Sequence, residues 1–234
     1  IDSDGDLDIL TFSILGGFVE YHKNMSMETI SSCDSIIFEL ETGCWGNFYE
    51  GLNTYALNCT NCQCPALNGT YTAEQHLSHA GSTLLAIDID NDNDKDLILG
   101  DISYTNLNLL INGGNNDSAH IISVDTVFPQ NHNNTIAGDI SVYPASYYID
   151  VTNDGIKDLL LTTNTNNNSE SLESCWLFEN TNSTNSPNFN FIKKSFLQDE
   201  MIDLGKGSYP AFFDYNGDGL DDLVVGNYGY HVNN

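Results

Sequence analysis

The chain has 234 residues, 40% of them hydrophobic, and its 33 acidic against 6 basic residues give a formal charge of −27 at pH 7. That length and apolar content support a real core, in one large all-β domain or two smaller ones, and exclude a peptide hormone or a disordered tail. An acidic excess of this size argues against nucleic acid and anionic membranes as partners and toward cations, and no apolar run approaches the roughly 20 residues of a membrane span.

The Asp residues recur at short intervals instead of forming one block, so bound divalent ions would relieve their repulsion. A halophile-type surface would scatter Glu and Asp. The chain opens on IDSDGDLDILTF, where Asp2, Asp4, Asp6 and Asp8 alternate and then give way to a β-prone run. Because the chain begins inside this pattern, with the first position of the motif missing, its start is read as a cut edge of something longer. This loop is expected to be empty or only partly filled by metal.

A Cys-rich stretch follows at about 25–80 and is read as an insertion. Cys33, Cys44, Cys59, Cys62 and Cys64 fall within 32 residues, and Cys175 stands apart. Such density favours disulfides in an oxidising compartment, with the pairing left open. Zinc is the rival, since CTNCQC gathers three thiols, but no second paired-ligand cluster follows. Asn-x-Ser/Thr triplets (NCT, NGT, NNS) would accept glycans only in a eukaryotic secretory route. Trp45, in TGCWGNFYEG, is the candidate for a surface contact with a ligand such as a sugar ring, with packing against a disulfide as the default.

Three further stretches repeat the opening grammar of apolar lead-in, acidic loop and aliphatic tail: STLLAIDIDNDNDKDLILG, PASYYIDVTNDGIKDLLLT and YPAFFDYNGDGLDDLVVG. The copies centre on 2–12, 88–100, 150–162 and 214–226, and their last Asp residues are separated by 88, 62 and 64 positions. The surplus in the first interval coincides with the cysteines. Lead-ins and tails read as strands, as do NLNLLING and SCWLFEN, and no stretch of 12 or more residues keeps a 3.6-residue apolar period. The chain is therefore expected to be all-β, with about four short strands per repeat, the unit a propeller blade needs.

Side-chain oxygens at positions 1, 3, 5 and 9 of a tight loop, with the carbonyl of position 7, satisfy a hard cation with oxygen ligands. In the last copy these are Asp214, Asn216, Asp218, Asp222 and the Leu220 carbonyl. Gly219 at position 6 permits the turn, and Asp221 is expected to face solvent. The second copy offers Asp88, Asp90, Asp92 and Asp96, with Asn93 at position 6. Its Asp94 stands at the carbonyl-donating position, where the side chain adds negative field. The third has Asp150, Thr152, Asp154, Ile156 and Asp158, and with Thr152 at position 3, which leaves Asp150, Asp154 and Asp158 as its carboxylates, it is expected to bind most weakly. An EF-hand would close with Glu at position 12 on a helix, and a dockerin loop would also run into a helix.

This pattern resembles the FG-GAP/VCBS repeat of integrin-α-like β-propellers, found in large secreted or cell-surface proteins of Bacteroidetes-type bacteria. The resemblance implies an incomplete ring of about four blades, with the missing blades beyond one or both ends, and three to four structural Ca2+ ions. It also implies an extracellular or cell-surface location, with other blades or domains of the same longer protein as partners. Enzymatic chemistry is not expected: the paired acids belong to metal loops. His22, His76, His79, His120, His132 and His231 are scattered, and Gly-x-Ser-x-Gly is absent. The expected role is a non-catalytic module for adhesion, ligand display or protein–protein interaction. The alternative is a carbohydrate-binding or polysaccharide-processing surface in the insertion and adjacent loops.

Overall fold

The computed structural model describes residues 1–14, 16–33, 35–52, 54–64, 81–131, 135–165, 172–202, 204 and 207–229. After the first acidic loop, β1 (Ile9–Phe12) pairs with β2 (Val19–Asn24), and β2 pairs with β3 (Phe38–Thr42) beyond a short helix α1 (Ser26–Ile30). A small hairpin of β4 (Tyr49–Glu50) and β5 (Tyr55–Ala56) comes next. The second unit is a four-stranded antiparallel meander of β6 (Ser82–Ile87), β7 (Asp96–Asp101), β8 (Leu107–Asn112) and β9 (Ile121–Phe128). The third repeats it with β10 (Pro144–Ile149), β11 (Asp158–Thr163), β12 (Cys175–Asn180) and β13 (Phe189–Lys193). A last hairpin joins β14 (Tyr209–Phe213) to β15 (Asp222–Gly226). Each of the three lead-ins pairs with its own aliphatic tail, so every complete acidic loop is the turn of a hairpin.

The uninterrupted apolar tails have a packing reason. All six residues of β7 are buried, because the strand has a neighbouring sheet on each face. Leu97 and Leu99 join Val19, Tyr21, Trp45, Phe48, Leu110 and Ile121 in one core. Ile98 points the other way, into a core built with Phe128, Leu159, Leu161, Trp176, Phe178 and Phe189. A strand covered on both faces reads as a continuous hydrophobic run instead of an alternating one. The second and third sheets also meet through backbone, where the Thr83 hydroxyl donates to the Pro144 carbonyl at 2.6 Å and the Gly100 backbone abuts the same oxygen. In contrast, the side chains of β14 and β15 stay largely exposed, with Tyr209 at 79% and Phe212 at 69%. Among the described residues the last hairpin carries the repeat's apolar pattern without a covering sheet.

The stretch 25–80 is not wholly an insertion. β3 lies inside it and completes the first sheet by pairing with β2. The segment beyond β3 is cross-linked by Cys44–Cys62 and Cys59–Cys64, so the thiols of CTNCQC are in disulfides and not in a zinc site. Cys33 and Cys175 are free, which corrects their inclusion among the bridging candidates. Cys175 sits on β12 of the third unit, remote in the fold from a segment whose other four cysteines bridge locally, and Cys33 lies in the exposed turn after α1. Residues 65–80, with His76 and His79, lie outside the described residues, as do His132, His231 and the NGT and NNS triplets.

Two outcomes test this architecture. Phe178 is fully buried and edge-on to Phe191 at 5.5 Å, so Phe178→Ala should cost about 3–5 kcal/mol in urea unfolding. A loss under about 1 kcal/mol would contradict the shared core. Thiol counting in denaturant without reductant should find two reactive cysteines per chain, not six.

Candidate metal centre

The four loops fold by one local rule, in which carboxylates accept backbone N–H groups from residues just ahead of them. Asp88 accepts from Asn91 (2.7 Å) and Asn93 (3.2 Å), Asp150 from Asn153 (2.7 Å) and Gly155 (3.0 Å), and Asp214 from Gly217 (2.6 Å) and Gly219 (2.9 Å). Position 1 therefore organises positions 4 and 6, as Asx turns do. At position 5, Asp4, Asp92, Asp154 and Asp218 each accept the N–H of position 7, at 3.1, 3.0, 2.8 and 2.8 Å. Two residues per loop take left-handed φ. Gly5, Asn93, Gly155 and Gly219 stand at position 6, as the sequence implies, and Ser3, Asn91, Asn153 and Gly217 stand at position 4, which the sequence reading did not identify. Gly and Asn, which fill seven of these eight places, are residue types that tolerate that region, and Ser3 is the exception.

The closing Asp ties each loop to the sheet. Asp96 and Asp158 are fully buried. One Asp96 oxygen accepts the Ile89 N–H at 2.9 Å and the other the Asn112 N–H at 2.8 Å. Asp158 accepts from Val151 (3.2 Å) and Asn180 (3.0 Å), and Asp8 accepts from Asn24 at 2.9 Å. Asp222 accepts from Tyr215 at 2.9 Å. Burial drives the Asp96 carboxyl up to about 7, although the Ile89 and Asn112 N–H groups pull it down. Asp214, exposed, is instead held low, first by the Gly219 N–H.

Asn24, Asn112 and Asn180, which end the second strand after the loop, were not singled out from the sequence. Their side chains carry the tie onward: Asn180 Oδ1 accepts from Asn182 and Asn188 while its Nδ2 donates to the Lys157 carbonyl at 3.1 Å. Asn112 does the same with Gly114, His120 and the Lys95 carbonyl.

Two loops gather carboxylates closely enough to share one ion. Ligand atoms of Asp88, Asp90 and Asp92 lie within 4.8 Å of one another, and so do those of Asp2, Asp4 and Glu28, the last contributed by α1. Burial, followed by the charge of Asp92, raises the Asp90 pKa. In the first loop a cation is already present: the Lys23 ammonium lies 2.7 Å from Asp2 and 2.5 Å from Glu28. Burial pushes Asp2 upward, yet the Lys23 contact and the Asp4 N–H hold it below the usual carboxylate range. Loops 150–158 and 214–222 keep the same turn, with Thr152 and Asn216 at position 3, Ile156 and Leu220 at position 7, and Asp221 exposed. Trp45, the candidate surface contact, is only 4% exposed; it begins a 3-10 turn and packs in the core with Phe48 and Leu97 and not at the surface.

Residues 150–225 match the family model of the FG-GAP-like repeat, a span that runs from the first Asp of the third loop to β15 and so covers two of the four copies. No curated protein and no solved structure matches the chain.

The buried Asn supplies the mutational test. Asn180→Ala strands several buried backbone partners and should cost about 2–3 kcal/mol by chemical denaturation. Asn180→Asp should cost more, because a carboxylate there would face the Lys157 and Ser183 carbonyls, 3.1 and 2.9 Å from the present Nδ2. Equal effects of the two would show that the amide's donor side is idle.

Proposed function

We propose that the chain is a non-catalytic, calcium-stabilised stretch of an extracellular β-propeller, serving adhesion, ligand display or protein–protein interaction. The observation that carries this is the repetition of one loop geometry. Backbone N–H groups hold the Asp side chains in place in every copy, and in the second loop three carboxylates converge with no protein cation among the described residues to answer them. A hard divalent ion with oxygen ligands answers that charge and braces the hairpin across the loop.

The four-stranded antiparallel meanders packed face to face through β7 are blade-like units, and the FG-GAP-like match over 150–225 agrees with them. Two disulfides suit an oxidising, extracellular compartment. No helix among the described residues is long and apolar enough to cross a membrane. Loops 88–96, 150–158 and 214–222 are the proposed ion sites, while Lys23 serves the first. The sugar-binding alternative loses its named anchor with the burial of Trp45.

Calcium at 100 times its dissociation constant stabilises by about 2.7 kcal/mol per site, so excess chelator should lower the melting temperature and calcium restore it. An unchanged melting temperature rejects structural calcium. In a loop-by-loop Asp→Ala series followed by calcium titration, the loop at 150–158, with a Thr152 hydroxyl where the others offer the Asp90 carboxylate or the Asn216 amide oxygen, should be the weakest of the three complete sites.

A further inference from the structure

Asp94 differs from every other residue at its place in the motif. Position 7 is Ile156 in the third loop and Leu220 in the fourth. In the first it is Asp6, whose Oδ2 accepts the Met27 N–H at 3.2 Å. Asp94 is only 2% exposed, and neither of its carboxylate oxygens receives a hydrogen bond among the described residues. Its backbone is engaged, since the N–H donates to Asp92 Oδ1 at 3.0 Å, but its side chain is not.

The carboxylate lies against that of Asp92 and within the field of Asp90 and Asp88. A buried carboxylate held beside another, with no donor to either of its oxygens, is strongly unfavourable unless something positive joins them. The nearest basic neighbour in sequence, Lys95, makes no ion pair among the described residues.

We infer that Asp94 is itself a cation ligand, binding a divalent ion through its carboxylate beside Asp92, so that the loop at 88–96 holds its ion with a donor the other complete loops lack. This rests on the calcium reading above and departs from it at one point: position 7 contributes a charged side chain in addition to a backbone carbonyl. The added carboxylate makes this loop the tightest of the sites, because charge count at an oxygen-ligand site sets its affinity. It also makes this loop the one most damaged by metal removal.

The test compares the intact chain with Asp94→Asn and with Asp94→Ile, which installs the third loop's residue, by calcium titration calorimetry and by melting in chelator and in calcium. The expected result has opposite signs. In chelator both variants melt at or above the wild-type temperature, because an unanswered buried charge is gone. In calcium they gain less than the wild type, and the tightest binding phase weakens about tenfold. A purely structural Asp94 would instead lower both melting temperatures by the same amount and leave affinity unchanged, which overturns the inference. Wild type that binds calcium, with variants that bind and gain as much, overturns this inference alone. Wild type that neither binds calcium nor gains stability from it overturns the calcium reading as well.

Discussion

A carboxylate sealed away from water must be met by N–H donors, and in this fold the closing Asp of each of the first three acidic loops is met from two directions. One donor belongs to the loop's own second residue and the other to an Asn at the end of the second strand after the loop, as with Ile89 and Asn112 around Asp96. Hydrogen bonds to a charged acceptor are worth about 1.5–3 kcal/mol each. The pair therefore fixes the loop against the sheet and fixes where that second strand ends. That Asn then gathers the next turn with its own side chain, so one buried charge organises a loop, three strands and the turn beyond them. The same relay recurs around Asp8 and Asp158.

On that frame the units are held together by shared faces. β7 gives Leu97 and Leu99 to one core and Ile98 to the other, so the middle sheet has no outer surface along that strand. The disulfide-bearing segment takes part in this packing. Trp45 and Phe48 lie against Leu97, Leu99 and Ile121, which makes the segment a cover for the second sheet and not an appendage. Two short cross-links keep that cover in shape where it is otherwise nearly free of regular structure.

Much of this was legible in the sequence because it is local. The strands that flank each loop follow from apolar runs bounded by acidic turns, and position 6 follows from its Gly or Asn. Position 4 escaped notice because Ser3, Asn91, Asn153 and Gly217 look like ordinary loop residues until the copies are laid over one another. The Asn relay was hidden by variable spacing: 16 residues separate Asp8 from Asn24 and Asp96 from Asn112, but 22 separate Asp158 from Asn180. Glu28 and Lys23 reach the first loop from another strand and a helix, and nothing in their sequence neighbourhood marks them. The partners that bury Trp45 were hidden for the same reason, since the sheet it packs on lies some 50 or more positions further along the chain. β3 was missed because its FELET run sits among the cysteines, where the repeat pattern is interrupted.

The close approach of Gly100 to the Pro144 carbonyl bears on how such repeats can be exchanged. A Cβ at Gly100 would strike that oxygen, so the second and third sheets can nest only while position 100 stays bare. The residue in register in the third unit is Thr162, and in the fourth it is Gly226. A third unit moved into the place of the second would arrive with a side chain where its successor's backbone must lie. Although the copies share one acidic grammar, they are not interchangeable parts. Duplication can lengthen such a chain only if each new junction settles afresh how near the next sheet comes, and that choice is written in a single residue at the far end of the aliphatic strand, well away from the metal loop.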